Sequence, residues 1–318
     1  MPMTSCAVIG VGYLGKFHAQ KYAALPNADL LAVVDVDPQA AQSSANECDC
    51  RALADYRELL GEVDAVSIAV PTVHHFQVAR DFLSHGTHVL LEKPITSTLD
   101  EARELNQIAR EAGAVFQIGH LERFNSAFLD LADVNLAPLF IECHRLAPFK
   151  PRATDVNVVL DLMIHDIDLI LGIVRSPVKS LAASGTPVLS KGIDIANARL
   201  EFENGCVANV TSSRVSMKSE RKMRMFQSDA YISIDFQNSG LAIHRIGDRE
   251  MFPGVPEILR EESTFEKNDA LKAEIVAFLD SIQRGAPVVV SGDDGERALE
   301  AAIRITEMVQ ANYPRAEK

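Results

Sequence analysis

The feature that most constrains this chain is the alternation of short apolar runs with helical patterns over its first 120 residues. CAVIGVG, ADLLAVVDVD, DAVSIAV, THVLLEK and AVFQIGH read as buried strands. Between them, KFHAQKYAAL, PQAAQSSANE, FQVARDFLSHG and TLDEARELNQIAREAG read as helices. Apolar runs need cover on both faces, and parallel strands need a crossover to return the chain, so the pattern predicts a parallel sheet between layers of helix. The last of these helices carries its own boundaries: Ser97 or Thr98 before an acidic first turn, and Gly113 after the final turn.

Beyond about residue 120 the rhythm changes. A helix is expected over about 157–174, followed by alternating segments such as IDIANARLEFENGCVANVTSSR and AYISIDFQNSGLAIHRI. Asn204-Gly205 signals a hairpin with a type I′ turn, which needs positive φ at both central residues. NDALKAEIVAFLDSIQRG, ended by Gly285, and DDGERALEAAIRITEMVQANY read as closing helices. The predicted fold is therefore α/β over residues 1–120, with an α+β domain and an open, mainly antiparallel sheet over residues 121–318.

Two domains also suit a chain of 318 residues. A net charge of −13 argues against nucleic acid and anionic membrane surfaces as partners. No apolar run is long enough to span a bilayer, and MPMTSCAVIG lacks the layout of a secretory signal. The five cysteines show no disulfide spacing, and Cys48 with Cys50 has no second cluster nearby, so neither a disulfide framework nor a metal is expected. A reducing cytoplasm is the simplest compartment.

Gly10-Val11-Gly12-Tyr13-Leu14-Gly15 fits G-x-G-x-x-G where a strand ends and a helix opens, and Asp35 lies 20 residues past Gly15 at the end of the next strand. In that context Gly10 makes the tight turn, Gly12 admits a pyrophosphate to the backbone, and Gly15 lets helix and strand pack closely. The helix N-terminus receives the negative charge. Asp35 would accept from ribose hydroxyls and repel a 2′-phosphate, and no Arg follows in DVDPQ, so NAD is expected over NADP.

Lys93 follows a strand of the parallel sheet at its carboxyl end, where ligands of such sheets bind. An ammonium there can stabilise a developing alkoxide. On the helix LDLMIHDIDLIL, Asp161, His165 and Asp168 fall within a stripe about 60° wide at about 100° per residue. Leu, Ile and Met cover most of the remainder, and Asp166 lies off the stripe. A narrow titratable stripe on an otherwise buried helix suggests a cleft, with His165 as proton carrier and Asp161 holding its tautomer. A hydrogen-bonded buried His and an Asp/His metal site are the competing readings of the same spacing.

Together these motifs resemble the glucose–fructose oxidoreductase/inositol dehydrogenase family. The matching residues are the Gly10–Gly15 fingerprint, Glu92-Lys93-Pro94, Asp161 with His165 as D-x-x-x-H, and Pro71-Thr72-Val73-His74-His75, where Thr72 replaces the family's Asn. The resemblance implies an N-terminal Rossmann domain and a C-terminal domain for substrate binding and oligomerisation. It implies Lys93, Asp161 and His165 as catalytic residues, and Gly10, Gly12, Tyr13, Leu14, Gly15, Asp35, Pro71, Thr72, His75, Glu92, Lys93 and His120 around the cofactor. Val158-Val159-Leu160 and Met163 depart from the glycines usual in the family.

GHLERFN, HRLAPFKPR and DLMIHDIDLIL look like a narrower branch that oxidises C3 of UDP-N-acetylglucosamine to supply an amino sugar for lipid A. On that resemblance Arg123, Asn125, Arg145, Lys150, Arg152 and His165 would meet the substrate, the cations serving its diphosphate. A homodimer or homotetramer is expected. The alternatives are an inositol or free-sugar dehydrogenase of the same family and a non-catalytic NAD-binding sensor.

Overall fold

The computed structural model describes residues 3–132, 134–149, 156–266 and 268–312. The chain forms two compact units, Met1–Leu121 with Asp269–Leu299, and Glu122–Asn268 with Glu300–Lys318.

In the first unit the strands are β1 (Thr4–Ile9), β2 (Ala28–Val34), β3 (Arg51–Leu53), β4 (Ala65–Ile68), β5 (His88–Glu92) and β6 (Phe116–Gly119). The helices α1 (Gly15–Ala24), α2 (Pro38–Cys48), α3 (His75–Ser84) and α4 (Leu99–Ala112) separate them. The sheet runs β3-β2-β1-β4-β5-β6, all parallel. This is the doubly wound order, whose switch point lies between β1 and β4 at their carboxyl ends. Every residue of β4 and β6 is buried, as strands covered on both faces require. Thr98 closes a capping box with Glu101 on α4, and Gly113 ends that helix at φ 63°. The expected strands are all present. The short edge strand β3 was not anticipated, because three residues carry no periodicity.

The later helix α7 (Ala270–Arg284) joins this first unit, which departs from the two continuous domains expected. Its Ile275, Phe278 and Leu279 are fully buried in one cluster with Ala19 and Tyr22 of α1 and Val8 of β1. That i, i+3, i+4 spacing marks an apolar stripe but does not say which core will take it.

The second unit contains α5 (Ser126–Leu129), β7 (Phe140–Leu146), α6 (Ile164–Val174), β8 (Val178–Thr186), β9 (Ile195–Phe202), β10 (Val207–Ser213), β11 (Glu220–Phe226), β12 (Ala230–Asp235), β13 (Gly240–Phe252) and β14 (Val255–Thr264). The eight strands form one sheet ordered β14-β13-β12-β11-β7-β10-β9-β8. It is antiparallel except where β7 meets β10. On β7 the buried positions Ile141, Cys143 and Arg145 alternate with partly exposed ones, and α6 packs on β7 and β10. The helix α8 (Gly292–Asn312) closes the described chain.

The hairpin at Asn204-Gly205 is present, but its turn is not type I′. Gly205 has φ 89°, whereas Asn204 is not among the residues of positive φ. The Gly205 amide donates to Phe202 O at 3.0 Å, and the Phe202 amide donates to Cys206 O at 2.9 Å. This is a three-residue loop in which a turn precedes one left-handed glycine that forms a bulge. No described helix is long and apolar enough to cross a membrane.

Candidate active site

The loop after β1 has the form that the glycine spacing implied. Gly10 sits at φ 85°, and a Cβ there would meet Ala69 O and Val70 Cγ1 at 2.9 Å. A Cβ on Gly15 would fall on the Gly10 carbonyl oxygen, so α1 can start this close to β1 only with glycine. A Cβ on Gly12 would meet nothing within 4 Å, which leaves the backbone open to a ligand. The N-cap, Leu14, supplies no side-chain cap, and no acid stands in the first turn of α1. The amide groups and dipole at this end therefore suit an anion.

Asp35 is half-buried at the end of β2. Its Oδ2 accepts from the Val11 amide at 2.8 Å and its Oδ1 from the Asp37 amide at 2.9 Å. The carboxylate thus ties the fingerprint loop to β2 while keeping further acceptor capacity for a ribose. Most of the unit's exposed large apolar side chains also stand at the carboxyl ends of the strands: Tyr13 and Leu14 after β1, Val36 after β2, Val73 after β4 and Leu121 after β6. Val36 is 92% exposed. Sequence patterning missed Val36, Val73 and Leu121, because one apolar residue in a loop has no period. A set of glycine cradle, uncapped helix start, ribose acceptor and apolar rim fits a dinucleotide.

Pro71 and Thr72 lie in the 3-10 turn region that leads from β4 into α3. His75 is buried, and its two ring nitrogens lie 2.9 Å from Pro94 O and from Val70 O. Burial lowers its pKa, against the pull of those carbonyls and of Glu92. His75 therefore clamps the loop after β4 to the loop after β5, a positioning task that the motif alone did not reveal. Lys93 is half-buried directly past β5, and the Lys93–Pro94 peptide is cis. Glu92 Oε1 lies 3.1 Å from His18 Nε2, and Glu92 Oε2 accepts from the Lys93 amide at 3.3 Å. Burial would raise Glu92, but the bond to His18 and the charge of Lys93 outweigh it and hold the carboxyl below its ordinary value. His120 is buried at the end of β6.

In the second unit, the helix bearing Asp161 and His165 is not uniform. Val159–Met163 form a π-helical turn, and α6 begins only at Ile164. Asn157 caps this turn, its Oδ1 accepting from the amides of Val159 at 2.9 Å and Leu160 at 3.1 Å. A π turn is wider than an α turn, so the wheel drawn at constant pitch misplaces Asp161. Asp161 and His165 are half-buried, whereas Asp166 and Asp168 are buried.

That difference corrects the stripe. Asp168 is buried and accepts a two-pronged bond from Arg123 at 2.8 Å on each oxygen. Gly172 makes the room, since a Cβ there would come within 2.8 Å of the guanidinium. Asp166, unexplained by the wheel, takes the Arg145 fork at 2.8 and 2.9 Å, and Arg145 also donates to Glu122 at 2.7 Å. Arg145 is 3% exposed. Burial raises Asp166 above its ordinary carboxylate value, and the Arg145 fork pulls against that rise.

Arg123 and Arg145 are thus partners of buried carboxylates rather than surface cations. Asn125 likewise caps α5, accepting from the Ala127 amide at 3.1 Å and donating to Phe236 O at 3.3 Å. Lys150 and Arg152 lie outside the described residues. Arg221, 53% exposed by its side chain and 3.6 Å from Glu122, is a solvent-accessible cation of this cluster that the motifs did not single out. A further unanticipated ion pair joins Arg214 to Asp194 at 2.7 Å, and Arg214 donates to Val156 O at 2.6 Å just before the Asn157 cap.

Comparison with known proteins extends the likeness to the whole chain. Residues 4–120 match the family model described as an oxidoreductase family with an NAD-binding Rossmann fold, and residues 109–233 match the GFO/IDH/MocA C-terminal domain. The UDP-N-acetylglucosamine 3-dehydrogenase of Acidithiobacillus ferrooxidans is 43% identical over 305 residues, 96% of each chain. A solved structure of that enzyme superposes with a TM-score of 0.91 at 42% identity, covering 98% of this chain and 99% of the other. The inositol 2-dehydrogenase of Rhizobium meliloti is more distant, 24% identical over 318 residues, covering 93% and 95% of the two chains. With a glycine cradle built for a dinucleotide at its start and near-complete alignment to such an enzyme beyond it, the chain belongs to the GFO/IDH/MocA family of NAD-binding oxidoreductases.

Proposed function

We propose that this chain oxidises the 3-hydroxyl of UDP-N-acetylglucosamine with NAD as hydride acceptor. The observation that carries the reading is the 43% identity to a UDP-N-acetylglucosamine 3-dehydrogenase across 96% of both chains. The inositol dehydrogenases are more distant, at 24% identity for the Rhizobium enzyme.

The first unit would hold the cofactor. Gly10, Gly12 and Gly15 bring backbone amides to the pyrophosphate. Asp35 accepts from the ribose, with Tyr13, Leu14, Pro71, Thr72 and His120 around the remainder. When bound, NAD supplies the electron-deficient carbon that accepts hydride. His165 takes the hydroxyl proton, Asp161 orients the imidazole or passes the proton on, and the Lys93 ammonium stabilises the developing alkoxide. Lys150, Arg152 and the exposed Arg221 are the cations assigned to the diphosphate, because Arg123 and Arg145 are already neutralised by aspartates.

The product is a 3-keto sugar, so an aminotransferase would follow if the pathway is lipid A synthesis. Five free cysteines suit a cytoplasmic protein. The exposed Met251, Phe252, Val255, Ile258 and Leu259 of the β13–β14 hairpin suit burial in a homo-oligomer.

The test is formation of reduced nicotinamide with NAD and UDP-N-acetylglucosamine, coupled to an aminotransferase that removes the ketone. Turnover with inositol and none with the nucleotide sugar would overturn the substrate. Lys93→Ala and His165→Asn should each lower kcat by about 10²- to 10⁴-fold with folding intact. Unchanged biological activity in both variants would favour an NAD-binding sensor instead.

A further inference from the structure

Behind Lys93, the first unit encloses an acid that the reaction does not use. Glu274 of α7 is fully buried, and neither of its carboxyl oxygens has a hydrogen-bond partner. One of its oxygens, a Glu92 oxygen and a His18 ring nitrogen all lie within 4.8 Å of one another. Within this trio His18 Nε2 lies 3.1 Å from Glu92 Oε1, and the Glu274 carboxyl stands beside that hydrogen-bonded pair with no bond of its own. Gln117 of β6 donates to the Glu274 backbone carbonyl at 3.1 Å and so fixes that point of the helix.

We propose that Glu274 is a neutral carboxylic acid that retains its proton beside the His18–Glu92 pair, and that it positions Glu92 and hence the start of Lys93. Two buried carboxylates this close cannot both carry charge without a further cation. His18 and Lys93 already act on Glu92, as does His75 from α3. Glu92 is therefore the charged member. The other titratable group facing Glu274 is the buried Tyr22 hydroxyl of α1, which bonds to Ser67 at 2.9 Å. Burial first and the Glu92 charge second push Glu274 well above the carboxylate range. A divalent cation is the other way to neutralise the trio, but His18 Nε2 and Glu92 Oε1 are already spent on each other. The part assigned to Lys93 rests on the function proposed above, whereas the protonation state does not.

The folded-state pKa of Glu274 lies above its unfolded value. Its contribution to stability is therefore full below the unfolded value and is lost as pH rises toward the folded one. Glu274→Gln copies the neutral acid and removes that loss. Its Tm should match the native protein near pH 5 and exceed it at pH 9 by about 3 °C or more. Its kcat at neutral pH should stay within about twofold, with the alkaline limb of kcat displaced upward. Glu274→Leu, which keeps the volume but removes the polar acid beside Glu92, should fold yet lose at least about tenfold in kcat with KM for NAD nearly unchanged.

A Glu274→Gln protein less stable than native at pH 9 would overturn the neutral acid. So would one equivalent of a divalent metal in the native protein that this variant fails to bind. Native-like kcat in a folded Glu274→Leu would overturn the positioning role. If the native protein fails to oxidise the nucleotide sugar, the substrate reading falls, while the two Tm–pH curves still decide the charge of Glu274.

Discussion

The two units build polar groups into their interiors by different means. In the first, the cofactor cradle is local backbone: three glycines within six residues, the start of α1, and one carboxylate at the end of the next strand. In the second, charge is balanced by side chains distant in the chain, Arg145 with Asp166 and Arg123 with Asp168, on elements that meet only after folding. Backbone devices depend on φ and on close approach, so they tolerate few residue types. Ion pairs depend on partners, so each half resembles an ordinary surface residue until its mate is found.

This contrast can be broken experimentally. The largest effect is expected in the second unit. Arg145→Met leaves Asp166 buried without a counter-ion and should cost about 3–5 kcal/mol in urea denaturation. Adding Asp166→Leu should restore much of that loss, because a well-packed apolar pair needs no desolvation. If Arg145→Met alone is harmless, the pair is not what holds α6 to β7.

Next, Gly15→Ala places a methyl group on the Gly10 carbonyl and should cost about 1–3 kcal/mol of stability. It should also weaken NAD binding by calorimetry, since the loop and the ligand share one backbone. The smallest effect is expected at the ribose acceptor. Asp35→Ser should weaken NAD about tenfold, or about 1.4 kcal/mol, and narrow its advantage over NADP. An unaltered NAD/NADP ratio would remove Asp35 from ribose recognition.

Much of this was legible before folding was considered. The parallel sheet, the glycine loop, Asp35 and the capped α4 follow from local pattern and local chemistry. Lys93 was placed by its position at a strand end. The helix bearing Asp161 and His165 was found, but the wheel grouped Asp168 with His165, although Asp168 is the partner of Arg123. The wheel failed because it assumes one pitch and an environment set by exposure alone, whereas the chain starts with a π turn and buries two aspartates against arginines. His75 was read as a cofactor residue from its motif, and its two carbonyl contacts across the loops after β4 and β5 explain why it stands there.

The sequence by itself determined the period of each element, the glycine positions that no other residue could fill, and the presence of Lys93, Asp161 and His165 at family spacing. Only the tertiary structure decided that α7 joins the first unit, that Arg123 and Arg145 are committed to aspartates, and that Glu274 lies beside His18 and Glu92. The reason is distance along the chain: Glu92 and Glu274 are separated by most of the molecule, and no local pattern reports which buried acid will become another's neighbour.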